Sequence, residues 1–82
     1  VRAIHRGRMT MNPFSIHTET IELQQLLKAA GLCPTGGSAG QAIVDGLVRV
    51  DSRIERRKAC KIHPGQRVEF DGAVLIVERK AV

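Results

Sequence analysis

The first third of the chain carries an apolar stripe at helical spacing. The apolar positions stand at i, i+3, i+4 and i+7: Leu23, Leu26, Leu27 and Ala30. Residues so spaced fall on one face of a helix. Gly31 follows the stripe and can adopt the positive φ that ends a helix. The pattern therefore predicts a helix from Glu22 to Ala30.

A second, shorter helix is predicted after the loop Leu32-Cys33-Pro34. Thr35-Gly36-Gly37-Ser38 opens it, and either Thr35 or Ser38 can cap its first turn. Ala39, Ala42 and Ile43 form its buried face, and Asp45-Gly46 ends it. Because the buried residues are mostly small, we expect the two helices to pack closely as a compact pair.

From residue 47 onward the apolar spacing changes from helical to alternating. Residues 47–50 and 53–56 flank Asp51-Ser52, which suits a two-residue hairpin turn. Residues 67–70 and 73–77 flank Asp71-Gly72, the strongest hairpin signal in the chain. Another short strand is predicted at 14–17, and residues 1–13 are predicted to be a disordered extension. The fold expected for residues 14–80 is a single α+β domain, with two short helices on a small, mostly antiparallel, twisted sheet.

Composition narrows the class of protein. The chain has 82 residues, which is enough for one domain with a small core. It has no apolar run long enough for a bilayer and no signal-peptide pattern, so a cytoplasmic protein is expected. Its two cysteines are not arranged as a CxxC pair, and we interpret them as buried or half-buried thiols. We expect a monomer with no cofactor, no metal and no small-molecule substrate.

Charge is the most informative property after the hydrophobic pattern. Seven of the 13 Lys and Arg residues lie between residues 46 and 68: Arg49, Arg53, Arg56, Arg57, Lys58, Lys61 and Arg67. The first eight residues add three arginines, and subtracting these from the net charge of +5 leaves +2. That segment is predicted to be a disordered tail, and a basic arm that touches RNA is the alternative. The central cluster is independent of it and predicts a polyanionic partner.

The residue types of this cluster suit phosphate. Arginine presents a planar fork that can hold two phosphate oxygens, and lysine adds a compact point charge. Backbone N–H groups at Gly36-Gly37 form an anion site in principle, although a simple helix cap explains the same residues. Phe14 and Phe70 are the only aromatic residues, so a platform for stacking single-stranded bases is not expected.

The order of these segments resembles the alpha-L RNA-binding domain, named for the fourth protein of the small ribosomal subunit, and within it the stand-alone YbcJ-like bacterial group. The matching segments are 21–32, 35–39, 43–51, 55–62 and 64–68, and the resemblance covers roughly residues 14–77. The resemblance implies that the paired helices and the start of the hairpin form one RNA-binding surface. Gly36-Gly37, Arg56, Arg57, Lys58 and Lys61 would line it. Family members often carry lysine where Gly40 stands, so binding is expected to shift toward the hairpin.

These observations together predict a non-catalytic protein that binds structured RNA, either ribosomal or transfer RNA. The candidate RNA-binding residues are Lys28, Thr35, Gly36, Gly37, Arg49, Arg53, Arg56, Arg57, Lys58 and Lys61. The alternative is a protein-interaction adaptor whose basic face docks an acidic partner. An enzyme is not expected, because the eight carboxylates are scattered and form no recognisable acid–base pair.

Overall fold

The chain forms seven short strands and two helices over residues 10–80, the part that the computed structural model describes. In chain order they are β1 (Thr10–Ile16), β2 (Ile21–Glu22), α1 (Leu23–Ala29), α2 (Gly36–Val44), β3 (Val48–Val50), β4 (Arg53–Ile54), β5 (Lys61–Ile62), β6 (Arg67–Phe70) and β7 (Ala73–Arg79). The predicted class of two helices on a mostly antiparallel sheet is confirmed.

Five of the strands form one sheet in the order β1-β7-β6-β3-β4. β1 pairs parallel with β7, and the other three pairings are antiparallel. β2 and β5 form a separate antiparallel pair, which the sequence pattern did not predict. That pair joins the segment before α1 to the segment after the basic hairpin.

The N-terminal strand is longer than predicted. β1 begins at Thr10 and pairs with β7 along its whole length, from Thr10 opposite Ala73 to Ile16 opposite Arg79. The prediction of an unstructured segment is therefore wrong for residues 10–13, and residues 1–9 lie outside the described residues. Pro13 concealed the strand because it cannot donate a ladder hydrogen bond. At the edge of a sheet, however, one side of a strand needs no partner.

α1 begins on main-chain contacts with the loop that follows β4. The Leu23 N–H donates to the Cys60 carbonyl at 2.9 Å, and the Gln24 N–H donates to the Lys58 carbonyl at 3.1 Å. These carbonyls satisfy two of the N–H groups that a helix start leaves without an intrahelical partner. The basic loop is thereby fixed against α1. Gly31, with φ of +79°, ends the helix as predicted.

α2 is capped by side chains of its own first turn. The Ser38 N–H donates to Thr35 Oγ1 at 3.0 Å, and the Thr35 N–H donates to Ser38 Oγ at 3.2 Å. This reciprocal arrangement is a capping box, with serine in the place of the usual glutamate. The predicted cap at Thr35 is confirmed.

The core lies between the two helices and the inner face of the sheet. Its fully enclosed side chains come from both layers: Leu23, Leu26, Leu27, Ile43, Val48, Ile62, Val68 and Val77. Cys33 is buried and Cys60 is half-buried, both as free thiols, as predicted. The core therefore fixes both helices and the hairpin strand β3 relative to one another.

Both predicted hairpin turns are confirmed. Asp51 and Ser52 have φ of 51° and 72°, and Asp71 and Gly72 have φ of 51° and 82°. Two successive residues at positive φ are typical of type I′ turns. β4 ends at Ile54, two residues earlier than predicted. The Glu55 N–H still donates to the Val48 carbonyl of β3 at 3.0 Å, and from Arg56 onward the chain contacts the helices instead.

Candidate nucleic-acid interface

A shallow groove of about 220 Å³ lies between the two helices. Its lining residues come from α1, from α2 and from the loop after β4: Gln24, Gly36, Gly37, Gly40, Gln41, Val44 and Lys58. Three of these, Gly36, Gly37 and Lys58, are sequence-predicted site residues. The groove therefore combines the start of α2 with one lysine.

Lys28 and Thr35 lie next to this groove. Lys28 follows Gln24 by four residues in α1, so the two side chains share one face of the helix. Lys28 is exposed, and it extends the positive charge of the groove along α1. Thr35 precedes Gly36, and its hydroxyl oxygen accepts the Ser38 N–H in the capping box. Thr35 thus shapes the start of α2.

A second concavity of about 540 Å³ lies beside the hairpin. It gathers three predicted cations, Arg53, Arg57 and Lys61. Its other lining residues are Val50, Asp51, Glu55, Cys60, His63 and Gln66. We call it the hairpin cleft. Arg57 lines the cleft and the next residue, Lys58, lines the groove, so this loop supplies a cation to each concavity.

Arg57 is held by the neighbouring carboxylate of Glu55. Its Nε donates to Glu55 Oε2 at 2.9 Å, and its Nη2 donates to Oε1 at 3.3 Å. These side-chain hydrogen bonds, with a further one from the Arg57 N–H, lower the pKa of Glu55 from 4.5 to about 2. Glu55 is therefore ionised at neutral pH and offsets part of the positive charge of the cleft.

Arg56 lies at the end of α2. Its Nη1 donates to the Val44 carbonyl at 3.1 Å. A Cβ on Gly46 would lie only 2.8 Å from Nη2, so the guanidinium packs directly on the glycine backbone. A cation at a helix C-terminus is also favoured by the helix dipole. Arg56 thus has a structural role, and an RNA contact from it stays a prediction.

Arg49 lies on the other face of the sheet. It pairs directly with Ile54 and with Glu69, whereas Arg53 pairs with the buried residue Val50. Directly opposed residues of an antiparallel pair project from the same face. Arg53 therefore projects toward the side of the helices and Arg49 projects away from it. The structure does not bring Arg49 together with the other predicted site residues.

The tip of the hairpin is joined to the following turn by side chains that sequence reasoning missed. The Asp51 carboxylate accepts the Gln66 side-chain amide at 2.9 Å and the Arg67 N–H at 3.0 Å, and these hydrogen bonds lower its pKa. Gln66 Oε1 also accepts the His63 N–H at 2.8 Å. No local sequence signal marks Gln66, because its partner Asp51 is 15 residues away.

Two further properties of the described part of the chain bear on function. Within residues 10–80, no helix is long and apolar enough to cross a membrane. Over the same residues, no group of three or more His, Cys, Asp or Glu side chains is placed to hold a metal ion.

The chain is similar in sequence to proteins of two bacteria. It is 48% identical over 52 residues to "Putative RNA-binding protein YbcJ" of Escherichia coli (strain K12), covering 63% of this chain and 74% of that protein. It is 38% identical over 61 residues to "Probable ribosome maturation protein RlbA" of Bacillus subtilis (strain 168), covering 74% and 86%.

The fold also matches a solved structure. The solution structure of YbcJ from E. coli, described as revealing an alpha-L motif involved in RNA-binding, matches with a TM-score of 0.66 and 40% identity. The match covers 87% of this chain and 91% of YbcJ, which confirms the alpha-L fold. The family model of the S4 domain matches residues 14–78, which is most of the chain. This chain is therefore a member of the S4 domain family.

Proposed function

We propose that this protein is a non-catalytic RNA-binding protein that recognises structured RNA through the groove and the hairpin cleft together. The observation that carries the proposal is that one short segment supplies exposed cations to both concavities: Lys58 lines the groove beside Gly40 of α2, and Arg53, Arg57 and Lys61 line the hairpin cleft. All four cations are exposed on a backbone that is fixed by sheet pairing and by the contacts with α1. Such a surface suits a phosphate backbone of defined shape.

Recognition rests on phosphates and RNA shape and not on base stacking. The two aromatic residues, Phe14 and Phe70, are half-buried and pack against the core. Single-strand binders of the stacking type present aromatic side chains to successive bases. Double-stranded and folded RNA is instead recognised largely through its shape and its backbone. A folded stem or junction is therefore the better target for this surface.

Ribosomal RNA is the favoured target, with transfer RNA as the second candidate. One relative is named for ribosome maturation and matches over 86% of its length. Another is described by an alpha-L motif involved in RNA-binding. A binding role without catalysis is supported by the hairpin cleft itself. Its two carboxylates, Asp51 and Glu55, have lowered pKa values and already accept hydrogen bonds, which suits neither for proton transfer near neutral pH.

Filter binding over a salt series tests the proposal. The probes are a folded ribosomal RNA fragment, transfer RNA and unstructured polyuridine of matched length. We expect the folded RNAs to bind more tightly than polyuridine, with affinity that falls steeply as salt rises. Equal binding of polyuridine, or no salt-dependent binding to any RNA, contradicts the proposal. Tight binding to an acidic protein partner with none to RNA would favour the adaptor alternative.

The hairpin offers a matched pair of variants. Arg53→Glu and Arg49→Glu make the same charge change on adjacent strands, and the two side chains project from opposite faces. We expect Arg53→Glu to weaken RNA binding at least tenfold and Arg49→Glu to weaken it about twofold, through the long-range field alone. Equal loss in both variants would mean that the binding surface is not confined to the helix side.

A further inference from the structure

Gly40 is in contact with the side chain of Lys58. It lies in the middle of α2 and is buried. A Cβ built on it would lie 2.8 Å from Lys58 Cδ and 3.6 Å from Lys58 Cγ. The first distance is shorter than ordinary van der Waals contact, so no side chain fits at position 40 while Lys58 keeps its place. The alkyl stem of Lys58 therefore lies directly on the backbone of α2.

The other glycines of α2 have no such neighbour. A Cβ on Gly36 would meet nothing within 4 Å, and one on Gly37 would meet only Thr35 Oγ1 at 3.8 Å. Glycine in the interior of a helix costs about 1 kcal/mol relative to alanine. At position 40 the close contact with Lys58 explains why glycine stands there in spite of this cost, because alanine would displace the lysine stem.

Lys58 is fixed at its own backbone as well. Its carbonyl accepts the Gln24 N–H at the start of α1 at 3.1 Å. The Gln24 side chain also reaches the same place, with Oε1 3.5 Å from the Cβ position of Gly40. Lys58 as a whole is nonetheless exposed. A lysine in this setting keeps its stem on the protein surface and its ammonium group in water.

We propose that Gly40 is a positioning residue for RNA binding. Its missing side chain lets the stem of Lys58 cross α2 and bring the ammonium group into the groove, where it contacts an RNA phosphate. The inference rests on the proposed function and deepens it, because it assigns the phosphate contact of the groove to a cation that comes from the hairpin loop and not from a helix. Gly40 itself touches no RNA in this arrangement.

The test combines Gly40→Ala, Lys58→Ala and the double variant, measured by filter binding with the folded ribosomal RNA fragment. Each single change should weaken binding about fivefold and make the log–log salt slope shallower by about 0.9, the loss of one phosphate contact. The double variant should bind no more weakly than Lys58→Ala alone, because alanine at position 40 acts only by displacing Lys58. Full additivity of the two losses would overturn the inference.

Thermal unfolding separates positioning from folding. The melting temperature of Gly40→Ala should equal or exceed that of wild type, because alanine favours the helix and a lysine stem can move aside. A Gly40→Ala protein that melts well below wild type would overturn the inference, since the contact would then serve the fold.

Moving the cation gives the converse experiment. In Gly40→Lys combined with Lys58→Ala, the new side chain starts where the stem of Lys58 now lies. This variant should recover most of the affinity and the salt slope. Failure to recover either one counts against the inference. If wild type binds RNA and Gly40→Ala matches it, only the positioning role is wrong. If wild type binds no RNA, the proposed function itself is wrong.

Discussion

Replacing Gly46 by alanine should destabilise the protein through two separable effects. The first is the backbone: Gly46 has φ of +78°, and a residue with a Cβ pays about 1 kcal/mol in that region. The second is Arg56, whose Nη2 lies 2.8 Å and whose Cζ lies 3.0 Å from the new Cβ. The guanidinium must move, and its hydrogen bond to the Val44 carbonyl at 3.1 Å is then lost.

The backbone strain and the lost hydrogen bond each lower the free energy of unfolding by a similar amount. An exposed hydrogen bond of this kind contributes about 1 kcal/mol. Gly46→Ala should therefore lower the free energy of unfolding by about 2 kcal/mol, and Arg56→Ala by about 1 kcal/mol. In the Arg56→Ala background only the backbone effect remains, so Gly46→Ala should then cost about 1 kcal/mol. The predicted coupling between the two sites is about 1 kcal/mol.

Urea unfolding, followed by far-ultraviolet circular dichroism, gives the free energy of unfolding of the wild type, Gly46→Ala, Arg56→Ala and the double variant. Equal m-values across the set are needed for the comparison, because they show that the same surface is exposed on unfolding. Strict additivity of the two substitutions would refute the reasoning, since it would mean that Arg56 does not pack on Gly46. The cycle also shows how far an effect of Arg56→Ala on RNA binding reflects lost stability.

The remaining predictions concern the hairpin cleft. Glu55→Gln should tighten binding of folded RNA about fivefold, because Arg57 then has no anionic partner that competes with phosphate. Weaker binding in filter assays would show instead that Glu55 orients Arg57 for RNA. Asp51→Ala should weaken RNA binding severalfold and lower the urea midpoint of unfolding, because it removes the carboxylate that fixes the hairpin tip to the next turn. An unchanged midpoint would contradict this role of Asp51. Acid should destabilise the protein, because folding lowers the pKa of both carboxyl groups. The stabilisation from Glu55 is full above about pH 4.5 and is lost as the pH falls toward about 2, and that from Asp51 is also lost in acid; Glu55→Gln should reduce the total loss in pH-dependent melts.

The helices and hairpin turns could be predicted from local sequence because their determinants are local. The leucine stripe of α1, the capping threonine of α2 and the Asp71-Gly72 turn each act over a few residues. The start of β1 could not be predicted in this way. Its pairing partner is β7, about 60 residues later, and Pro13 disguises the strand. The pairing of β2 with β5 was missed for the same reason, since nothing within either two-residue segment signals the other.

The candidate site was predicted in outline but not in detail. Charge density alone locates the basic hairpin, because it is a sum over residues and needs no geometry. Which cations share a surface depends on side-chain direction and on distant partners. Alternation along β3 predicts only that Arg49 is exposed, and the pairing with β4 decides that it faces away from Arg53. The contact of Lys58 with Gly40 joins residues 18 apart, so no local pattern predicts it.

Contacts within the protein reduce the number of cations that can meet phosphate, and with it the expected salt dependence of RNA binding. Seven cations of the basic segment would give a log–log slope near −6 if every one met a phosphate. Four of them have other positions or partners in the structure: Arg49 on the far face, Arg56 on the Val44 carbonyl, Arg57 on Glu55 and Arg67 on Glu69 at 3.6 Å. Arg53, Lys58 and Lys61 remain, and they predict a slope near −3.

Glu55→Gln should steepen that slope toward −4 by releasing Arg57, whereas Gly40→Ala should reduce it toward −2 by displacing Lys58. Neither substitution changes the number of cations, so opposite shifts from the two would show that contacts within the protein determine how many phosphates it holds.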